Sequence, residues 1–182
     1  MNPHANSPAD VVKFWIEAGP GRWFKKDIAF DDEFRARFAA AHDMVSSDAL
    51  DEWASTAEGA LALMILLDQF PRNSFRGTAR MFATDARALS IAKQAIAHGF
   101  DTMVNPELRR FFYLPFMHSE VLVEQDRSLE LHVPLGDEPM RYAVMHRDII
   151  ARFGRFPHRN ELLGRTTTAD EHSFLDEGGF AG

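Results

Sequence analysis

Ala60-Leu61-Ala62-Leu63-Met64-Ile65-Leu66-Leu67, running into Asp68-Gln69-Phe70-Pro71-Arg72-Asn73, is the stretch that decides the fold. Its first eight residues have no polar side, and Ala, Leu and Met favour helix over strand, so the run predicts a central buried helix. Ser55 and Glu58 predict a capping box at its start. Phe70-Pro71 predicts its end, because proline has no N–H to donate and clashes with the preceding turn. Eight apolar residues fall well short of the roughly 20 that span a bilayer, so no membrane helix is expected.

Upstream, Ser7, Pro8 and Asp10 mark the start of a first helix that carries Val11, Phe14, Trp15 and Ala18 on one stripe and stops at Gly19-Pro20-Gly21. Asp31-Asp32-Glu33 opens a second, with Phe34, Phe38, Ala41 and Val45 at helical spacing. Asp48 to Trp53 reads as a short turn. Downstream, Gly77-Thr78 restarts the chain into an alanine-rich helix closed by His98-Gly99. Asn105-Pro106-Glu107 opens the next, which Pro115 kinks or divides, with helix resuming from Phe116 to about His132. Val133 to Pro139 reads as a loop. A helix from Met140 to Phe153 follows, with Tyr142, Met145, Ile149 and Phe153 facing inward. Thr168 and Glu171 box the last helix, which fades at Gly178-Gly179. The sum is an all-α fold of seven to nine helices in stacked antiparallel hairpins, as one domain over residues 1–182.

Composition fits a thick aromatic core: 46% of the residues are hydrophobic, including 16 Phe and 3 Trp. A chain of 182 residues can bury about 70% of its unfolded surface without a metal or disulfide. The absence of cysteine removes thiolate chemistry. The opening Met1-Asn2-Pro3-His4-Ala5-Asn6-Ser7-Pro8 has neither a basic nor an apolar leader segment, so a cytoplasmic location is expected. A net charge of −7 argues against a nucleic-acid surface. Among the 20 basic residues only positions 13, 25, 26 and 93 are lysine. The rest are arginine, the side chain suited to forked contacts with carboxylate or phosphate, although a GC-rich genome would leave the same bias.

One internal echo stands out. Phe70-Pro71-Arg72-Asn73 leads to Arg76-Gly77-Thr78, and Phe156-Pro157-His158-Arg159-Asn160 leads to Gly164-Arg165-Thr166. Each reads as a helix-turn-helix corner in which proline stops a helix, asparagine caps and arginine meets exposed carbonyls.

The string Leu66-Leu67-Asp68-Gln69-Phe70-Pro71-Arg72-Asn73, with Arg76-Gly77-Thr78, resembles the family catalogued as domain of unknown function 924. So do Phe14-Trp15, Arg22-Trp23-Phe24, Asp27, Phe30-Asp31, Tyr113 to Glu120, Gln125, and Arg152 to Asn160 with Leu163-Gly164-Arg165. The resemblance implies a fold similar to tetratricopeptide repeats and implies no activity. The usual 34-residue repeat signature is absent.

Chemistry rests on a few polar residues. His118 and Gln125 share an apolar stripe with Leu122 and Leu129 on the expected Phe116–His132 helix, so each needs a partner, from the protein or from a ligand. If the Phe-Pro corners pack beside that helix, Arg72, Asn73, Arg152, His158, Arg159, Asn160 and Arg165 would join His118, Glu120 and Gln125. With the helix N-termini at Thr78 and Thr166 to Thr168, these would form an anion pocket. The same residues equally make a bracing ion-pair network with Asp68, Glu120 and Glu124. No motif for a metal, nucleophilic serine, dinucleotide or P-loop is present, so no cofactor is expected. Three functions stay open. One is a helical binding module for an anionic small molecule or peptide end; another is an enzyme on an anionic metabolite with His118 or His158 as acid or base. The third is a scaffold or homo-oligomer subunit with an exposed aromatic patch of Trp15, Trp23, Phe24 and Phe30.

Overall fold

The computed structural model describes residues 6–47 and 49–180. They are helical throughout, with no strand among them, joined by short turns. The expected leader reading rests largely on Met1 to Ala5, and one end of the Asp48–Trp53 turn on Asp48, which lie outside the described residues; Asp51–Ser55 is a 3-10 turn. The chain forms two compact units: Met1–Arg76 with Arg80–Pro115, and Phe116–Gly182 with Gly77–Ala79.

In the first unit α1 (Pro8–Ala18) carries the capping box of Ser7 and Asp10. The short α2 (Pro20–Trp23) follows. Next comes α3 (Ile28–Ser46), which starts before the acidic trio because the Asp27 side chain accepts from the Phe30 N–H. α4 (Ala57–Met64) is capped by Thr56, one residue after the expected Ser55, and packs on α1 and on α6 (Asp85–Ala97). Gly59 is required there, since a Cβ would lie 2.0 Å from the Trp53 carbonyl oxygen. The aromatic patch is core: Phe14 stacks on Phe30 and Phe34, and Trp15 lies parallel to Trp23. Trp15 is 0% and Trp23 4% exposed, and Phe30 is buried; only Phe24, at 56%, faces outward. Burial of Trp23 is possible because its indole N–H donates to the Trp15 carbonyl at 2.7 Å.

Phe70-Pro71 does not end the central helix. The chain widens into a π turn over Ile65–Gln69 and continues as α5 (Phe70–Ser74). The widening moves the Phe70 N–H onto the Ile65 carbonyl, and Pro71 contributes no donor, so the carbonyls of Leu66 and Leu67 lose their regular partners. Two side chains take them over: His42 Nδ1–H donates to Leu66 and Thr84 Oγ1–H to Leu67, while the Arg72 side chain also donates to the Asp68 carbonyl. Burial lowers the His42 pKa, consistent with the neutral form that makes this contact. The chain after α5 restarts at the 3-10 turn Ala79–Phe82 and not at Gly77-Thr78.

The boundary between the units falls inside α7 (Arg110–Met117), which keeps Pro115 within it. In the second unit α8 (Leu122–His132) and α9 (Asp137–Phe153) pack as a hairpin through the 3-10 turn Val133–Leu135, and α10 (Ala169–Asp176) follows. Most of the expected Val133–Pro139 loop is therefore helical. Ala143, His146, Ile149 and Ile150 form the inward face of α9, while Tyr142 is 40% exposed. Ile149, Ile150 and Phe156 centre the core, with Met145, Phe153, Phe174 and Phe180 against them. Among the described residues no helix is long and apolar enough to cross a membrane.

Candidate functional site

Each Phe-Pro corner is built around carboxylates. In the first unit Arg72 forks onto Asp85 at 2.9 and 3.0 Å and reaches Asp68 Oδ1 at 3.3 Å. Burial opposes the charge on Arg72, but Asp68 and Asp85 outweigh it and raise its pKa. Asn73 donates to Asp31 at 2.8 Å, and Arg76 binds the same carboxylate through Nε at 2.7 Å.

The second corner repeats this plan with different partners. Asn160 donates to Glu171 at 3.2 Å, and Arg155 forks onto Glu171 at 2.6 and 2.8 Å. The Arg155 hydrogen bond, ahead of any other favourable contact, pulls the Glu171 pKa down to about 2. Glu120 accepts the fork of Arg165 at 2.7 and 3.0 Å and the Phe156 N–H at 2.8 Å. Burial would raise the Glu120 pKa, but these donors and the charge of Arg159 lower it. The N-terminus of α10 is closed by its own box, with the Thr168 N–H donating to Glu171 at 2.7 Å.

The expected helix from Phe116 to His132 is broken between α7 and α8, so His118 and Gln125 do not share a helix face. The Ser119 N–H turns back to the Phe116 carbonyl, and the Val121 N–H to the Ser119 hydroxyl. Gln125 spans the break, donating to the carbonyls of Met117 at 2.8 Å and Ser119 at 2.6 Å. Its amide nitrogen is thus satisfied by the protein, while its buried Oε1 accepts no hydrogen bond among the described residues. Arg152 is exposed, its guanidinium over the rings of Phe153 and Phe174.

What the second unit brings together is a group of histidines around Phe156. His118 and His146 lie 6.3 Å apart between ring centroids. His146 meets Phe156 edge-on at 5.5 Å, and His158 lies 5.6 Å from Phe156. Arg159 donates to the His118 carbonyl at 3.0 Å with its guanidinium 4.6 Å from the Phe156 ring centre. His146 is 5% exposed, and its Nδ1–H donates to the Tyr142 carbonyl at 2.8 Å. Burial, then the charge of His118, and more weakly those of His158 and Arg159, push its pKa down to about 3. It is therefore a neutral imidazole with its lone pair on Nε2.

Of the ten residues singled out in the sequence, Arg72 and Asn73 belong to the first unit and the other eight to the second. His118, Glu120, His158, Arg159 and Arg165 are tied together around Phe156. His146 escaped the sequence reading, although Ala143, His146 and Ile150 follow the spacing of a buried stripe. Among the described residues, no group of three or more His, Asp or Glu is placed to hold a metal ion.

Residues 11–179 match the model of a family described as a bacterial protein of unknown function (DUF924). A solved structure similar to this one is that of a protein of unknown function, ATU0120, from Agrobacterium tumefaciens. It is 53% identical, covers 94% of this chain and 97% of its own, and has a TM-score of 0.92. Comparison with curated proteins gives no match.

Proposed function

The chain belongs to the DUF924 family, to which no activity is attached, and we propose on physical grounds that it is a helical binding module for an anionic small molecule or peptide end. The site is the cluster of His118, His146, His158 and Arg159 in the second unit. The carrying observation is the gathering of His118, His146 and His158 with the Arg159 guanidinium around Phe156, with His146 buried and held neutral. An anion beside His146 would favour its protonated form and raise its pKa. The forks of Arg72, Arg155 and Arg165 brace the corners and are not part of this site. The matching roles of Asn73 and Asn160, each donating to a carboxylate shared with an arginine, support reading the corners as copies of one helical repeat.

The test is a histidine NMR titration of the full chain in increasing acetate or inorganic phosphate. Binding should raise the His146 midpoint from about 3 toward the ordinary 6.5, and Arg159→Gln should weaken the response. Midpoints indifferent to both anions would remove the proposal.

A further inference from the structure

The turn between α2 and α3 is fastened from below and open above. Trp23 is buried with its indole N–H on the Trp15 carbonyl, and the Asp27 carboxylate accepts from the Phe30 N–H to start α3. Around these fixed points the chain turns Arg22, Phe24, Lys25, Lys26 and Ile28 outward. Phe24 is 56% and Ile28 70% exposed, although Phe24 is stacked on the buried Phe111. The Arg110 guanidinium sits 5.6 Å from the Phe24 ring centre. Elsewhere in the same unit Arg35, Arg37, Arg72 and Arg76 each meet a carboxylate. The side chains of Arg22, Lys25, Lys26 and Arg110 meet none among the described residues. An acidic chain thus leaves two apolar tips among four unpaired cations at one corner.

We infer that this corner is where the protein settles on an anionic lipid surface, with Phe24 and Ile28 entering the headgroup boundary and the four cations at the level of the phosphates. An acidic peptide fits less well. It would have to lie in the adjoining cleft of about 100 Å³, where Glu17 and Glu33 share the lining with Arg22 and Arg37 and would repel it. A flat anionic surface asks for no groove, since it takes apolar tips into its acyl boundary and cations at its headgroups. Lying on a membrane needs no spanning helix, and the net charge of −7 disfavours every other orientation of the chain against anionic lipid. The corner belongs to the first unit and is independent of the histidine cluster in the second.

Vesicle sedimentation of the full chain tests this, with phosphatidylglycerol against phosphatidylcholine. Labelled polyglutamate, followed by fluorescence anisotropy, supplies acidic charge without a lipid surface. The chain should pellet with phosphatidylglycerol at low salt and not with phosphatidylcholine, and about 0.5 M salt should release it. Lys25→Gln combined with Lys26→Gln should weaken association roughly 25-fold, about fivefold for each charge removed. Phe24→Ala should weaken it about fivefold, and Phe24→Leu much less, because leucine restores an apolar tip. The lysine pair is exposed, so that variant should keep the urea midpoint of the unaltered chain. Equal pelleting with both lipids, or pelleting unaffected by the lysine or the Phe24→Ala variant, would overturn the inference. Capture of polyglutamate without vesicle binding would also overturn it and make the corner a docking surface for an acidic protein.

Discussion

The hydroxyl of Thr84 donates across 2.5 Å to the carbonyl of Leu67, whose α-helical partner would have been the N–H that Pro71 lacks. Both residues are buried. Thr84→Val keeps the shape and removes the donor, so it should cost about 1–3 kcal/mol in urea unfolding, the penalty of an unmet buried carbonyl. Thr84→Ser, which restores the hydroxyl, should recover most of that loss. Equal stability of the Val variant and the unaltered chain would mean that another donor serves Leu67.

Arg72→Ala removes the cation between Asp68 and Asp85, whose side chains are largely shielded from solvent. The expected loss is about 3 kcal/mol of stability, in line with breaking a buried pair by deleting one partner. The histidine midpoints of the second unit and their response to anions should not change. A lost anion response in a variant that remains folded would return Arg72 to the binding site.

Glu120 and Arg165 should behave as one unit. Glu120→Gln, Arg165→Gln and the double variant form a cycle whose coupling energy is expected at about 1–2 kcal/mol, given a forked, half-shielded pair. Near-zero coupling would show that the Phe156 N–H, and not the ion pair, is what Glu120 chiefly secures.

Acid should act through His146 and Glu171 over different ranges. An unfolded histidine takes up a proton near 6.5, which folded His146 refuses until about 3. Stability therefore rises with pH across that window and is lost on acidification, at up to about 1.4 kcal/mol per pH unit from this group. His42, also depressed by burial, adds in the same direction. Glu171, lowered to about 2, contributes stability that is full above the ordinary 4.5 and lost as pH falls toward 2. Urea midpoints should decline below pH 6.5 and again below 4.5, and His146→Gln should flatten part of the first decline. Constant stability from pH 7 to 5 would contradict the neutral buried ring.

Local chemistry carried much of the fold into the sequence. Ser7 with Asp10 and Thr168 with Glu171 were legible as caps because a capping box is complete within four residues. The Ala60–Leu67 run was legible because nothing but burial suits it. The effect of Pro71 was not legible, since its missing hydrogen bond is replaced by His42 and Thr84, 24 and 17 residues from the carbonyls they serve. The site was only partly visible for the same reason. Arg159 and His118 could be named, but the break at Ser119 that separates His118 from Gln125 depends on Gln125 folding back onto two carbonyls. His146 looked like an ordinary core position, and only its neighbours make it unusual.

The π turn also sets an order of events. A peptide covering residues 57–74 carries neither His42 nor Thr84, so its second half has no donors for Leu66 and Leu67 and should fray beyond Met64 in isolation. The stretch completes its hydrogen bonding only after α3 and the start of α6 have docked. In folding kinetics Thr84→Val should then speed unfolding and leave the refolding rate nearly unchanged, as for a contact made after the barrier. The most hydrophobic segment of the chain would be among the last to acquire its final backbone geometry.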